Sequence, residues 1–201
     1  MTAPTLLPRL SAYLDFLPEG LASHPSCQVK AGVFRHFAAS RTLSADQLRE
    51  LPDPLQRSFE SLDSLAGWLP ESHFMGALFA LADFHRLSDE ELQRWLKQIN
   101  ITLLGGRIYR GIMSMGSPEL LLNLARFKWA TLHRGSSLAV EFDQKQAKAT
   151  LGFPSRLFDG RCLATFAPAF EAILEVSQAT GPRVSLGRFD ETSAQYEARW
   201  D

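Results

Sequence analysis

Chemistry has few places to start in this chain of 201 residues. Its five histidines stand apart at 24, 36, 73, 85 and 133, and its two cysteines at 27 and 162. His24 and Cys27 have the two-residue gap of half a structural zinc site. A tetrahedral site needs two more ligands, and no second pair supplies them. An exposed loop explains this pair, and no metal is expected. His85 ends an apolar helical pattern, where an imidazolium meets the carbonyl end of the helix dipole. A nucleophile elbow requires Gly-x-Ser-x-Gly, which does not occur. Ser114, Ser117, Ser136 and Ser137 stand in cap and turn contexts. Gly105-Gly106-Arg107, with Tyr109 and Arg110 behind it, is reminiscent of a phosphate-cradling loop. It lacks the Gly-Lys-Ser/Thr ending of a P-loop and follows no strand, so glycine ending a helix explains it better.

The most suggestive run is Lys128-Trp129-Ala130-Thr131-Leu132-His133-Arg134-Gly135-Ser136-Ser137. An indole, an imidazole and a guanidinium come together there, where a helix gives way to sheet, and such junctions can form clefts. Helix-end chemistry also accounts for each residue: Trp129 as core, His133 and Arg134 as C-terminal cations, Gly135 as the cap. Trp129, His133, Arg134, Arg107 and Tyr109 are the candidate rim of a binding pocket. No acid pair, metal cluster or nucleophile–base pair is visible, so an enzyme is the weakest reading and no catalytic residue is assigned.

The elements that would position this rim follow from periodicity. Leu138, Val140 and Phe142 alternate with Ala139 and Glu141. After the turn Asp143-Gln144-Lys145-Gln146 the alternation resumes through Ala147, Ala149, Leu151 and Phe153. Ala194, Tyr196, Ala198 and Trp200 alternate in the same way near the C-terminus. Period-two patterning of this length predicts two hairpins with one buried and one wet face. Between them Leu163, Phe166, Phe170, Ile173 and Leu174 repeat at helical spacing, with Pro168 either kinking that helix or starting it.

Upstream the chain reads as helical. A short helix is expected at Leu10–Phe16 and another at Val29–Ala39. Ser44-Ala45-Asp46-Gln47 has capping-box spacing, and the helix it opens should end at the Pro52 and Pro54 pair. Leu55–Leu65 is a further short helix. Phe74, Ala77, Leu78, Leu81 and Phe84 fall on one face after Pro70. Ser88-Asp89-Glu90-Glu91 is a capping box in front of Leu92, Trp95, Leu96, Ile99 and Leu103. Arg107–Met113 is short helical or irregular chain. Ser117-Pro118-Glu119 opens a helix running to about Leu132.

The expected fold is therefore α+β: a helical N-terminal two-thirds packed with a small antiparallel sheet of two C-terminal hairpins separated by a helix. Residues 1–28 read as an N-terminal arm and 29–201 as one domain.

Bulk properties exclude several classes. A hydrophobic fraction of 45% with 21% charged residues is that of a soluble globular protein. The net charge of -1, from interspersed residues, argues against a nucleic-acid binder and against polybasic membrane attachment. The apolar run Phe74–Ala82 is far short of the ~20 residues that span a bilayer. Met1–Leu17 lacks the pattern of a signal peptide, so a cytoplasmic protein is expected. Cys27 and Cys162 are compatible with a disulfide, but free thiols in a reducing compartment are the simpler reading.

Several strings carry a family resemblance: Val29-Lys30-Ala31-Gly32-Val33-Phe34, Trp68-Leu69-Pro70-Glu71, Gly106-Arg107-Ile108-Tyr109-Arg110, Ser117-Pro118-Glu119, His133-Arg134-Gly135-Ser136, Ala169-Phe170-Glu171-Ala172 and Ala198-Arg199-Trp200. Through them the chain, from about Val29 onward, resembles a myxobacterial family of ~200-residue proteins, a size ordinary for one domain. That family is in turn similar to the vinyl-reductase-type ligand-binding domain, the TRAPP trafficking subunits and the haem nitric-oxide sensor domain. The resemblance implies binding of an apolar small molecule, or scaffolding, rather than catalysis. Haem relatives use Tyr-x-Ser-x-Arg, whereas Tyr109 is followed by Arg110-Gly111-Ile112-Met113, so no haem or other cofactor is expected. The functional expectation is a regulatory or sensory domain with an apolar pocket between helices and sheet. The rival is a protein-interaction scaffold or homodimer with a filled core, docking through wet hairpin faces that carry Lys148, Thr150, Gln195, Glu197 and Arg199.

Overall fold

A computed structural model describes residues 6–62, 64–104, 117–177 and 179–201. The chain divides into two compact units, Met1–Leu92 and Gln93–Asp201.

The first unit is organised around a helix that is apolar on every side. Helix α1 spans Pro8–Phe16, strand β1 Gln28–Lys30 and helix α2 Ala31–Ser40. Helices α3 (Ala45–Arg49) and α4 (Asp53–Glu60) precede strand β2 (Trp68–Pro70) and helix α5 (Glu71–Phe84). Every residue of α5 except His73 and Phe84 is buried, which marks it as a core helix rather than an amphipathic one. Tyr13 meets Phe79 edge-on at 5.6 Å, and Phe37 meets Phe74 at 5.4 Å. Gly76 lets the neighbours close in: a Cβ there would lie 3.3 Å from the side chains of both Leu21 and Leu55.

The capping box at Ser44 forms as expected, its hydroxyl accepting from Gln47 N while the Gln47 side chain accepts from Ser44 N. The proline pair both ends one helix and starts the next, with Pro52 capping α4 and Pro54 in its first turn. Pro70 stands one place before the expected first turn, as the N-cap of α5. The helix expected from Val29 begins only at Ala31. Val29 is fully buried in strand β1 and pairs with Leu69 of β2 in an antiparallel register, which the backbone of a helix could not do. Beside that pair the Lys30 ammonium sits 4.2 Å above the Trp68 ring.

His73 makes this unit sensitive to acid. Burial, with a contribution from the Arg57 charge, holds its imidazole below the ordinary value of 6.5, against an opposing hydrogen bond with the Leu21 backbone. Because the folded protein binds the proton less readily than the unfolded chain, this contribution is fully present above pH 6.5 and is lost as pH falls below it. The urea midpoint should drop between pH 7.5 and pH 5.5, and His73→Gln should flatten that slope. An unchanged slope would assign the pH dependence elsewhere.

Helix α6 (Asp89–Leu104) opens on the expected box, Ser88 N donating to Glu91 Oε2 at 2.8 Å and Glu91 N to Ser88 Oγ at 3.2 Å. The rest of the second unit comprises helix α7 (Pro118–Leu132), the two-residue extended segment β3 (His133–Arg134), and hairpin strands β4 (Ser137–Asp143) and β5 (Gln146–Gly152). Helices α8 (Gly160–Ala164) and α9 (Ala167–Val176) follow, then hairpin strands β6 (Arg183–Phe189) and β7 (Ser193–Arg199). Pro168 lies in the first turn of α9, so it starts that helix rather than kinking it.

The two hairpins join into one antiparallel sheet of order β4-β5-β7-β6. One core cluster consists of Leu122, Ala147, Leu174, Ala198 and Trp200, with half-buried Val140 and Phe142 packed against it. Lys97 of α6 reaches Glu171 Oε1 at 2.8 Å and Glu175 Oε2 at 2.5 Å, tying α6 to α9. The architecture is α+β, with the alternating C-terminal segments forming the expected pair of hairpins around a helix. Both cysteines are buried free thiols. Among the described residues no helix is long and apolar enough to cross a membrane.

Candidate functional site

The end of α7 builds the candidate site. Ser117 caps the start of this helix by accepting from Leu120 N, and Pro118 occupies its first turn. Its C-terminus departs from expectation. His133, in extended conformation, is the terminal cap, and Gly135 stands beyond it with φ +74, turning the chain into β4.

Four residues after Trp129 and with its N–H on the Trp129 carbonyl, His133 lies over the indole. The two rings are parallel, 9° apart in plane, with centroids at 3.8 Å. The indole Nε1 donates to Ser136 Oγ at 3.1 Å. The edge of Trp129 meets Phe166 at 5.7 Å. Phe166 meets Phe158 at 5.2 Å and Phe158 meets Phe153 at 5.1 Å, each edge to face. The result is a continuous aromatic run from the end of β5 to the end of α7. Its inner members Phe153, Phe158 and Phe166 are buried, while Trp129 and His133 are half-buried at its outer end. Arg134, the next residue of the extended segment, is exposed.

Two of the five rim residues, Trp129 and His133, are therefore in direct contact, and Arg134 follows them in the chain. Arg107 and Tyr109 lie outside the described residues. Sequence reasoning placed Phe166 and Phe153 in the core without linking them to Trp129, and it did not single out Phe158. The one local signal was their shared aromatic character, since the contacts join separate elements.

Burial, reinforced by the Asp159 charge, pushes the Cys162 thiol well up, so it stays protonated and non-nucleophilic. Burial likewise drives the Tyr196 phenol far above its ordinary value, and it serves as a neutral donor to Leu163 O at 2.8 Å. No group of three or more His, Cys, Asp or Glu among the described residues is placed to hold a metal ion. An open cleft of about 340 Å³ lies at the turn end of the sheet, with Glu141, Asp143, Lys148, Glu197 and Arg199 on its walls. Its mixed charge does not suit an apolar molecule.

No protein-family model matches this chain. No curated protein matches it either. Solved structures do. The Fe(II) unliganded H-NOX protein from K. algicida superposes with a TM-score of 0.55 at 14% identity, over 86% of this chain and 96% of that one. A Cs H-NOX mutant carrying 4-cyano-L-phenylalanine gives 0.54 at 9% identity, over 86% and 96%. At such low identity the likeness is one of fold: this chain has the α+β fold of the H-NOX structures.

Proposed function

We propose that the chain is a non-catalytic sensory or regulatory domain that holds an apolar small molecule against the aromatic run ending at Trp129. The observation that carries this reading is Trp129 itself. Its indole rests on buried aromatics at one edge yet keeps part of its surface accessible, with His133 and Ser136 as polar groups beside it and Arg134 next in the chain. Apolar walls with a few placed polar groups are the usual construction of a small-molecule site. Arg107 and Tyr109 belong to the proposed rim on sequence grounds. The likeness to H-NOX structures supports a ligand-binding role, and kinship with the myxobacterial family is part of the same proposal, as is a soluble cytoplasmic setting.

The H-NOX structures that share this fold suggest iron or haem, and the described donors near the aromatic run do not fit that group. A haem iron takes an imidazole, thiolate, phenolate or thioether on its axis. Here His133 is stacked on Trp129, Cys162 is fully buried and held as a thiol, and Tyr196 is fully buried with its hydroxyl on Leu163 O. At the aromatic run we infer an organic apolar ligand.

Native mass spectrometry of the purified chain, with thermal-shift titrations using palmitate and indole as probes, tests the reading. A retained mass or a rise in Tm is expected, and Trp129→Ala should weaken probe affinity by about tenfold, the loss of ~1.4 kcal/mol of contact. No retained mass and no shift with either probe would sink it. A second reading, a scaffold with a filled core, is favoured by one observation: His133 and Ser136 already satisfy Trp129 without a ligand.

A further inference from the structure

We propose that the outer edge of β4 is a strand-addition surface for a second copy of this chain, paired antiparallel about Val140. The four-stranded sheet has two edges, β4 and β6, and they are built differently. Strand β6 carries a register shift between Leu186 and Phe189, contains Gly187, and bears Arg183 and Arg188. Bulges and edge charges of this kind are how proteins blunt an edge against further pairing. Strand β4 has no bulge and no glycine, and its two charges, Glu141 and Asp143, both stand on the wet face. It pairs with β5 without interruption from Ser137↔Gly152 to Asp143↔Gln146, and no described residue hydrogen-bonds to its other side.

The hairpin fixes which groups face outward. Residues flanking a two-residue loop form a hydrogen-bonded pair, so Asp143, Glu141, Ala139 and Ser137 direct their backbone groups to β5. The N–H and C=O groups of Leu138, Val140 and Phe142 then point to the open edge, a template for about six ladder hydrogen bonds with a mate.

The pattern of β4 is complementary to itself. A dyad at Val140 sets Leu138 opposite the mate's Phe142 on the apolar face. On the wet face it sets Ala139 opposite Glu141 and Ser137 opposite Asp143. No carboxylate faces a carboxylate, and the half-exposed shoulders of Val140 and Phe142 gain apolar neighbours. A two-fold axis closes the assembly at a dimer, with one continuous eight-stranded sheet as the outcome. This inference is independent of the ligand reading.

Charge substitutions at Ala139, an exposed residue, test it on the full chain. Ala139→Lys creates two symmetry-related pairs with the mate's Glu141, and Ala139→Glu creates two like-charge contacts. Sedimentation equilibrium over a wide concentration range should show monomer–dimer exchange. Ala139→Lys should lower the dimer Kd by about fivefold and Ala139→Glu raise it by about fivefold. Circular dichroism checks that both variants stay folded. A concentration-independent monomer overturns the proposal, as does a dimer that ignores both substitutions or shifts the same way with each.

Discussion

Asp83→Ala is expected to lower the folding stability by about 3 kcal/mol, a large loss for one surface-free carboxylate. The reason lies in helix α1, whose N-cap residue Leu7 has no side chain able to cap it. The helix borrows its cap from α5. Asp83 Oδ2 accepts from Arg9 N at 2.8 Å and Leu10 N at 3.1 Å, the two positions an N-cap side chain ordinarily serves. Its Oδ1 takes a third bond from Arg9 Nη1 at 3.3 Å, while Arg9 Nη2 reaches Asp89 Oδ1 at 2.7 Å. The Asp83 side chain is only 1% exposed, so removing it strands donors that water cannot easily reach.

Burial also pushes the Asp83 carboxyl above its ordinary value of 3.8, although its hydrogen bonds and the Arg9 charge oppose that. The charge is therefore partly a burden, and the acceptor geometry is the useful part. Asp83→Asn keeps an acceptor without the charge and should cost clearly less than alanine. The sign with pH is opposite to that of His73: this contribution is present below pH 3.8 and is lost as pH rises through the raised folded value. Urea midpoints at pH 7 for the two variants decide the matter. Asparagine as damaging as alanine would show that the carboxylate acts through its charge rather than as a cap.

Asp83 also shows what was legible in the sequence and why. Signals that live within one turn or one strand came through: the boxes at Ser44 and Ser88, the Ser117-Pro118 start, and the alternation of β4, β5 and β7. Strands β1 and β2 did not, because three residues with a single buried centre, Val29 or Leu69, are too short to show a period. Strand β6 was expected as the partner of β7 in the second hairpin but not placed, because its bulge breaks the alternation after Leu186. The Asp83 cap joins residues 74 apart, and no local spacing encodes it. The same holds for the site. The helix end placed Trp129 beside His133, whereas the contacts from Trp129 to Phe166 and on to Phe158 exist only once α8 and α9 fold back across the sheet.

Tyr196 is the residue on which that fold-back depends, and Tyr196→Ala is expected to cost about 4 kcal/mol. Its side chain is fully buried in β7, its ring 5.0 Å from Phe170 of α9. Its hydroxyl donates to Leu163 O of α8 at 2.8 Å, so one side chain holds strand and both helices together. Alanine leaves a cavity in the middle of the second unit and frees the helical turn that carries Phe166. Tyr196→Phe isolates the hydroxyl. Leu163 O retains its bond from Phe166 N at 3.2 Å, which limits the loss to about 1 kcal/mol. Because burial keeps the phenol neutral far into alkali, that bond should hold across the whole range in which the protein stays folded. Chemical denaturation of both variants, read by circular dichroism and by Trp fluorescence, separates the two contributions. Alanine should weaken the Trp129 environment along with stability, since Phe166 follows Leu163 within one turn. Equal losses in Tyr196→Phe and Tyr196→Ala would place the whole effect in the hydroxyl, and a normal Trp129 signal in folded Tyr196→Ala would break the link between this core and the candidate site.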